Sequence, residues 1–249
     1  MSKFVFRIVL MLLRLCYGSF EIRGLETLPG RDVILVANHT QMHGPIVGEL
    51  FLPQQYKIWC AGEMMHLKDV PAYAFLDFWS QKPRWTHPFY RALSYLIAPL
   101  ASCIFNNART IGVYHDARVL STFKETVSHL NFGENILIFP ERDEKQNNIL
   151  YQFQENFIDV ARLYYKKTGR CVTFVPMYIA PKLKCAYCGS GIVFNPDAPI
   201  SQERSRISAS LVESITQIAR DLPKHIVIPY RNIPKKNYLT NKDITEVPK

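Results

Sequence analysis

The sequence predicts a single α/β domain in which helices cover a central mixed sheet. Short apolar runs alternate along the chain with segments of helical period, and 48% of the 249 residues are apolar, enough for one large core. The chain shows no internal repeat and no low-complexity segment that would mark a linker. We therefore predict one domain over residues 20–230, between an N-terminal helix over 1–19 and a basic C-terminal tail over 231–249.

The predicted strands are short apolar runs bounded by turn or polar residues. One run ends in Asn38-His39, and a later one ends in Phe139-Pro140-Glu141. In α/β proteins, side chains at such strand ends face a crevice in which ligands bind. We predict strands over residues 20–23, 33–37, 56–60, 135–139 and 172–179.

The predicted helices carry apolar residues three and four positions apart on one face. Gly169 is placed just past the end of one of them, and Ser201 is placed to cap the last. Pro99 is predicted to kink or end another, because proline lacks the amide hydrogen that a helix interior uses. One helix is predicted to start near residue 45, and four others are predicted over 92–105, 121–130, 153–167 and 201–222.

The chain is basic. Lys and Arg number 30 against 21 Asp and Glu, which gives a net charge of +9 and indicates anionic partners. No nucleic-acid motif or groove-reading basic helix is present, so we predict no nucleic-acid partner. The charge is concentrated beside apolar segments, which favours a membrane surface.

The N-terminal segment is predicted to lie in a membrane interface without crossing it. Only six apolar residues separate Arg7 from Arg14, whereas a spanning helix needs about 20. In a helix, Lys3 and these two arginines share one face and apolar residues cover the rest, the pattern of an interfacial helix. The alternatives are a signal peptide, which Arg14 argues against, and a helix docked on the protein's own core.

A second apolar stretch, residues 92–105, is preceded by tryptophan, tyrosine and basic residues at 79–91. Aromatic and basic residues of this kind are typical of a membrane interface. An ordinary buried helix explains the pattern equally well.

The six cysteines do not predict an oxidising compartment. Cys185 and Cys188 form one Cys-x-x-Cys pair, but no second pair follows and no thioredoxin-like unit surrounds it. We interpret the pair as a loop with two reduced thiols. The other four lie in apolar stretches and are typical of small buried side chains.

His39 is a candidate general base, because an imidazole at a strand end can accept a proton from a substrate. The alternative is a structural histidine bonded to backbone. His43 follows four residues later, the spacing of His-Glu-x-x-His zinc sites, but Thr40 occupies the glutamate position. We predict neither a metal nor a resident cofactor.

Four blocks, in this order, resemble the glycerophospholipid acyltransferase family, typified by 1-acyl-glycerol-3-phosphate acyltransferase. Residues 20–39 match a strand, a Gly-x-Glu-x-x-Pro-like turn and a strand ending in Asn-His. Residues 110–116 are similar to the family's Gly-Ala-Ile-x-Val-x-Arg segment. Phe139-Pro140-Glu141 begins like Phe-Pro-Glu-Gly-Thr-Arg, and Val175-Pro176 resembles the family's Val-Pro strand. The resemblance spans about residues 1–222.

The resemblance implies a glycerol-3-phosphate acyltransferase-like fold and a reaction. A fatty acyl chain would move from an acyl thioester (acyl-CoA or acyl carrier protein as co-substrate) to a hydroxyl of a lysophospholipid-like acceptor, with His39 as the general base. Membrane phospholipids would be partners, and the protein would lie on the cytoplasmic face of the cell membrane as a peripheral or monotopic protein. Substrate binding would fall to Asn38, His43, His115, Phe139, Pro140, Glu141 and Arg142.

The sequence departs from the family at residues that carry chemistry. Gly44 stands five residues after His39, where the family has the aspartate that orients the histidine. His115 stands in place of the second block's arginine, and Arg142 in place of the third block's glycine. These changes leave a second hypothesis open: a non-catalytic lipid- or acyl-binding protein of the same fold that has lost turnover.

Overall fold

An eight-stranded mixed sheet forms the centre of the computed structural model, which describes residues 3–243. The strand order is β1-β9-β8-β2-β5-β3-β4, with β10 paired to the start of β8. Two further strands, β6 and β7, form a separate antiparallel hairpin. The strands are β1 (Glu21–Arg23), β2 (Val33–Ala37), β3 (Tyr56–Ala61), β4 (Thr110–Val113), β5 (Asn135–Ile138), β6 (Glu141–Gln146), β7 (Tyr151–Phe153), β8 (Thr173–Ala180), β9 (Cys185–Cys188) and β10 (Ile192–Val193).

Helices cover both faces of this sheet. The outer ends of the predicted N-terminal helix and basic tail, residues 1–2 and 244–249, lie outside the described residues. The α-helices within 3–243 are α1 (Lys3–Tyr17), α2 (His43–Phe51), α3 (Val70–Ala74), α4 (His87–Asn107), α5 (Val119–Asn131), α6 (Asp159–Thr168) and α7 (Ile200–Asp221).

The central strand β2 shows why the sheet needs cover on both sides. All five of its residues are buried, and successive side chains point to opposite faces. Ile34 and Val36 pack in a core with α5, α6 and α7, whereas Leu35 packs in a second core with α2. A strand buried on both faces reads as a continuous apolar run, as this one does in the sequence.

Parallel pairing brings several strand ends to one edge of the sheet, called here the carboxyl edge. β2 pairs in parallel with β5 and β8, and β5 continues in parallel through β3 to β4. Val36 lies opposite Ile138, so the chain leaves β2 beside the place where it leaves β5. This register places the Asn-His and Phe-Pro-Glu blocks next to each other.

Two predictions about helices need correction, and one of the two alternatives for Pro99 is excluded. Phe153 belongs to β7 and not to a helix over 153–167. Tyr151 and Phe153 are buried, the residue between them is exposed, and the strand pairs with β6. The last helix begins at Ile200 after Pro199, and no side chain caps it. Pro99 does not end α4; Tyr95 and Pro99 are both exposed, so the carbonyl that loses its amide partner can bind water.

The Cys-x-x-Cys pair lies on strand β9 and not in a loop. Cys185 packs in the core of one sheet face and Cys188 against the core of the other. An offset of three residues on a strand points side chains to opposite faces, so these two thiols do not share a site. Both are free, and Gly169 ends α6 at φ 72° as predicted.

One apolar surface lies outside the two cores. α1 contacts α4, and both helices present large apolar side chains to solvent. The helical stretch Arg84–Asn107 is long and apolar enough to cross a membrane, by length and composition, and little of it is buried. We call this the apolar surface; its exposed side chains include Phe4, Leu12, Leu15, Phe89, Leu96 and Leu100.

Candidate functional site

Asn38 fixes the loop that carries His39. Its buried side-chain amide donates to the carbonyl of Ile179 at 3.0 Å and accepts from the amide of Ile179 at 2.7 Å. An amide is suited to this place because it offers a donor and an acceptor together. Asn38 therefore ties the end of β2 to the end of β8.

The backbone after His39 turns in an unusual way. Thr40 and Gln41 are successive residues with φ of 48° and 55°, in the left-handed region that side chains with a Cβ seldom adopt. Two such residues cost roughly 1–2 kcal/mol each. Strain of this kind persists only where surrounding contacts hold it, and it is typical of functional sites.

Glu141 supplies one of those contacts. One carboxylate oxygen accepts the backbone amide of His39 at 2.5 Å, and the other accepts the backbone amide of Tyr151 at 2.8 Å. Burial raises the pKa of Glu141 to about 7, and the two amides oppose the shift only in part. Glu141 thus joins the Asn-His loop to the β6–β7 hairpin, and both its oxygens are engaged.

Aromatic edges surround the imidazole of His39. The ring of Phe139 lies at 5.4 Å between centroids and that of Tyr230 at 5.2 Å, both close to perpendicular to the imidazole. Nδ1 is buried and has no hydrogen-bond partner among the described residues. Burial lowers the pKa of His39 to about 4, opposed in part by the backbone of Gln41, so the ring is neutral at pH 7.

The structure explains Gly44 by space and not by backbone conformation. Gly44 lies in the first turn of α2 and does not have a positive φ, so no left-handed backbone conformation requires a glycine there. A Cβ there would lie 2.5 Å from the carbonyl oxygen of His39 and 2.7 Å from Cε1 of Phe139. The Phe139 ring therefore occupies the space into which an aspartate would extend.

His43 does not act with His39. His39 precedes α2 and His43 opens it, so the two are not neighbours on a helix. The Nδ1 atom of His43 shares a 2.5 Å hydrogen bond with the hydroxyl of Tyr17, at the end of α1. Within residues 3–243, no group of three or more His, Cys, Asp or Glu side chains is arranged to hold a metal ion.

The remaining predicted site residues divide into two places. Pro140 is buried, and its carbonyl accepts the amide of Gln154. Arg142 forms an ion pair with Glu144 at 3.0 Å, while its Nε is buried and lacks a hydrogen-bond partner among the residues described. His115 is exposed after the edge strand β4, separated from β2 by two strands.

Two residues at this site were not predicted from the sequence. Tyr230, against the imidazole, was placed at the end of the domain, and Tyr151, which donates its amide to Glu141, just before a predicted helix. The short apolar run Ile226-Val227-Ile228 is the available signal in the sequence that the chain remains ordered there.

Comparison with known proteins identifies the architecture. No family model matches the sequence, and no curated protein matches it. The structure is similar to the solved 1-acyl-sn-glycerophosphate (LPA) acyltransferase PlsC from Thermotoga maritima, with a TM-score of 0.51 and 13% identity over 89% of this chain and 83% of that one. The chain has the fold of that acyltransferase. At this identity the likeness establishes the fold alone, a single α/β domain with a mixed central sheet.

Proposed function

We propose that this protein transfers a fatty acyl chain from an acyl thioester to a hydroxyl of a lysophospholipid-like acceptor, with His39 as general base. The observation that carries the proposal is the hydrogen bond between the backbone of His39 and the carboxylate of Glu141. It joins the two sequence blocks that resemble the acyltransferase family at the carboxyl edge, where α/β proteins bind ligands.

In the proposed reaction, the acceptor oxygen attacks the thioester carbonyl. An oxygen–carbon bond forms, the carbon–sulfur bond breaks, and the hydroxyl proton passes through the imidazole to the departing thiolate. The pKa of His39 near 4 leaves the ring neutral and able to accept a proton, but makes it a weak base. Among the described residues no carboxylate hydrogen-bonds Nδ1 of His39, and loss of such a partner costs about 10⁴ in rate in the serine-protease triad.

The other polar groups receive different roles. Both oxygens of Glu141 are used by backbone amides, so Glu141 positions the His39 loop and does not bind the acceptor. We assign the binding of an anionic acceptor, through charge-assisted hydrogen bonds, to the guanidinium of Arg142, the next residue along β6. Coenzyme A and acyl carrier protein are both suitable thioester carriers.

The apolar surface supports peripheral attachment to a membrane, which we place at the cytoplasmic face of the cell membrane. α4 turns Ser94, Ala98 and Cys103 into the protein and its other side to solvent, so it can lie along an interface without leaving the domain. Lys3, Arg7 and Arg14 of α1 add cations for anionic headgroups.

A second function is favoured by two observations. Phe139 fills the place of the family's carboxylate, and Nδ1 of His39 has no acceptor in the described part of the chain to fix its proton. A protein that binds an acylated lipid without turning it over would keep the fold and tolerate this loss.

Thioester consumption by purified protein, measured across a panel of lysophospholipid and other hydroxyl acceptors, distinguishes the two. We expect His39→Ala to lower the rate by about 10²–10⁴-fold, the contribution of a general base. His129 provides the control, since it pairs with Glu134 just before β5 begins, at the opposite edge of the sheet, so that His129→Ala removes an imidazole away from the site. Equal rates in folded His39→Ala protein would refute the assignment, and saturable lipid binding without thiol release would establish the second function.

Cosedimentation with anionic phosphatidylserine vesicles tests membrane attachment. Leu12→Asp with Leu96→Asp places charges on the apolar surface and should release most of the protein. Leu120→Asp adds a charge at an exposed leucine of α5, elsewhere on the molecule, and should leave binding unchanged. Undiminished sedimentation of the double variant would exclude this surface.

A further inference from the structure

The chain after α7 returns across the carboxyl edge and covers His39. We call residues 229–238 the strap. Its Tyr230 ring is one of the two aromatic edges against the imidazole, and it also packs at 5.9 Å against Tyr151 of β7. The candidate base therefore lies beneath a segment that follows the last helix and belongs to none of the four sequence blocks.

The base of the strap is fixed. Ile226 and Thr240 form an isolated antiparallel bridge, and the amide of Val227 donates to the carbonyl of Leu239. Just beyond, buried Asn241 accepts the amide of His225 and donates to the carbonyl of Ala219. Both ends of the loop are thus joined to each other and to the end of α7.

Beyond Tyr230, whose ring packs against His39 and Tyr151, the strap is held to the rest of the described chain by polar contacts at the surface. The side chain of Gln41 donates to the carbonyl of Arg231 at 3.1 Å and to the hydroxyl of Tyr238 at 3.0 Å. Arg231 pairs with Asp143 of β6, and Asn232 donates to the carbonyl of Asp77. These contacts reach three separate parts of the chain.

The contacts are individually weak. The Arg231 and Asp143 side chains are 59% and 35% exposed, and exposed ion pairs contribute little in water. Segments held by exposed polar contacts open at the low end of a protein's range of local stability. A loop with a fixed base and a weakly held middle can therefore swing without unfolding the domain.

From this arrangement we infer that the strap is a gate over His39. Tyr230 is then a positioning residue, because its ring helps to hold the imidazole, a role that the resemblance gives to a carboxylate. The inference rests on the proposed function for its purpose: an acceptor hydroxyl reaches His39 only when the strap moves aside. The ring of Tyr230, and not its hydroxyl, makes the contact with the imidazole.

Carbethoxylation of His39 by diethylpyrocarbonate, followed by peptide mass spectrometry at pH 6, measures access without requiring turnover. We expect Tyr230→Ala and Arg231→Gln to raise the rate at His39 at least 5-fold, while Tyr230→Phe, which keeps the ring, matches the wild type. Arg118→Gln is the matched control, because Arg118 pairs with Asp116 at 47% and 55% exposure outside the strap. Exposed His115 provides an internal reference in every sample.

Unchanged labelling of His39 in folded Tyr230→Ala and Arg231→Gln proteins would overturn the gate. A parallel rise at all histidines, buried His225 included, would also overturn it, because the variants would then have loosened the whole domain. Thioester consumption by the same proteins gives a separate answer: if the wild type consumes none, the proposed function fails while the labelling result on the strap stands.

Discussion

Two loops at the carboxyl edge, residues 38–44 after β2 and 114–118 after β4, correspond to two blocks of the same family resemblance. The first is tied to distant parts of the chain: Asn38 bonds Ile179, 141 positions away, and His39 bonds Glu141, 102 positions away. In the second, Tyr114 bonds His66, 48 positions away, but the other residues are exposed and Asp116 pairs with Arg118, two positions away. Position in the sheet explains the contrast, because β2 is central and β4 is an edge strand.

The contrast also concerns the position in each loop at which the resemblance implies a different residue. After β2, where it implies a carboxylate, the Phe139 ring lies against both Gly44 and His39. After β4, His115 replaces an arginine, and it makes no hydrogen bond with another described residue. The central loop is therefore a coherent unit that resists substitution, whereas the edge loop should tolerate it.

Replacement of Gly44 should produce the largest effect. Gly44→Ala and Gly44→Asp should each lower the free energy of unfolding by about 3 kcal/mol or more, because the new Cβ meets the carbonyl of His39, which cannot rotate away. Urea denaturation of the variants measures this. Restoring the family's aspartate should therefore lower any acyl transfer.

Gly30→Ala is the matched control. A Cβ at Gly30 meets nothing within 4 Å, so stability should change by less than about 0.5 kcal/mol. A stable Gly44→Asp protein with increased thioester turnover would contradict the packing argument and show that the site lacks only a carboxylate.

Removal of the Asn38 side chain should be next in size. Asn38→Ala leaves the amide and carbonyl of Ile179 without their partner in a buried place, which costs about 3 kcal/mol. Asn131→Ala, at an exposed asparagine at the end of α5, should change the free energy of unfolding by only a few tenths of a kcal/mol. Similar urea midpoints for the two variants would show that the central loop is no better fixed than the surface.

The sequence predicted the architecture because the strands are buried on both faces and read as apolar runs. It also predicted the neighbourhood of Asn38, His39 and Glu141, because parallel strands end at one edge. It could not assign Glu141 to backbone amides or place Phe139 against Gly44, since both depend on distances between segments about a hundred positions apart. Tyr230 was missed because its segment has no regular secondary structure.

The desolvated side chains of His39 and Glu141 should make the free energy of unfolding depend on pH. The folded pKa of Glu141 is raised to about 7, so its contribution to stability is full below pH 4.5 and is lost as the pH rises to 7. The folded pKa of His39 is lowered to about 4, so its contribution is present above pH 6.5 and is lost as the pH falls through 4. Between pH 4.5 and 6.5 the two slopes oppose each other.

Single variants should separate the contributions of His39 and Glu141 to the pH dependence of stability. Relative to the wild type, His39→Ala should lose about 2 kcal/mol of stability as the pH rises from 4.5 to 6.5, and Glu141→Gln should gain a similar amount. Urea midpoints across this interval provide the measurement. Profiles parallel to the wild type in both variants would mean that neither group is desolvated as the structure indicates.

The edge loop should give the smallest effect. His115→Ala removes an exposed imidazole that has no hydrogen-bond partner in the described structure, so the free energy of unfolding should change by less than about 0.5 kcal/mol. Thioester turnover should stay within about 2-fold of the wild type, because His115 follows β4, and two strands separate β4 from β2, the strand that precedes His39. If His115→Ala instead lowered turnover more than 10-fold with unchanged stability, the acceptor would have to extend along the carboxyl edge from β2 to β4. The edge loop would then be a second half of the binding site and not a tolerant surface.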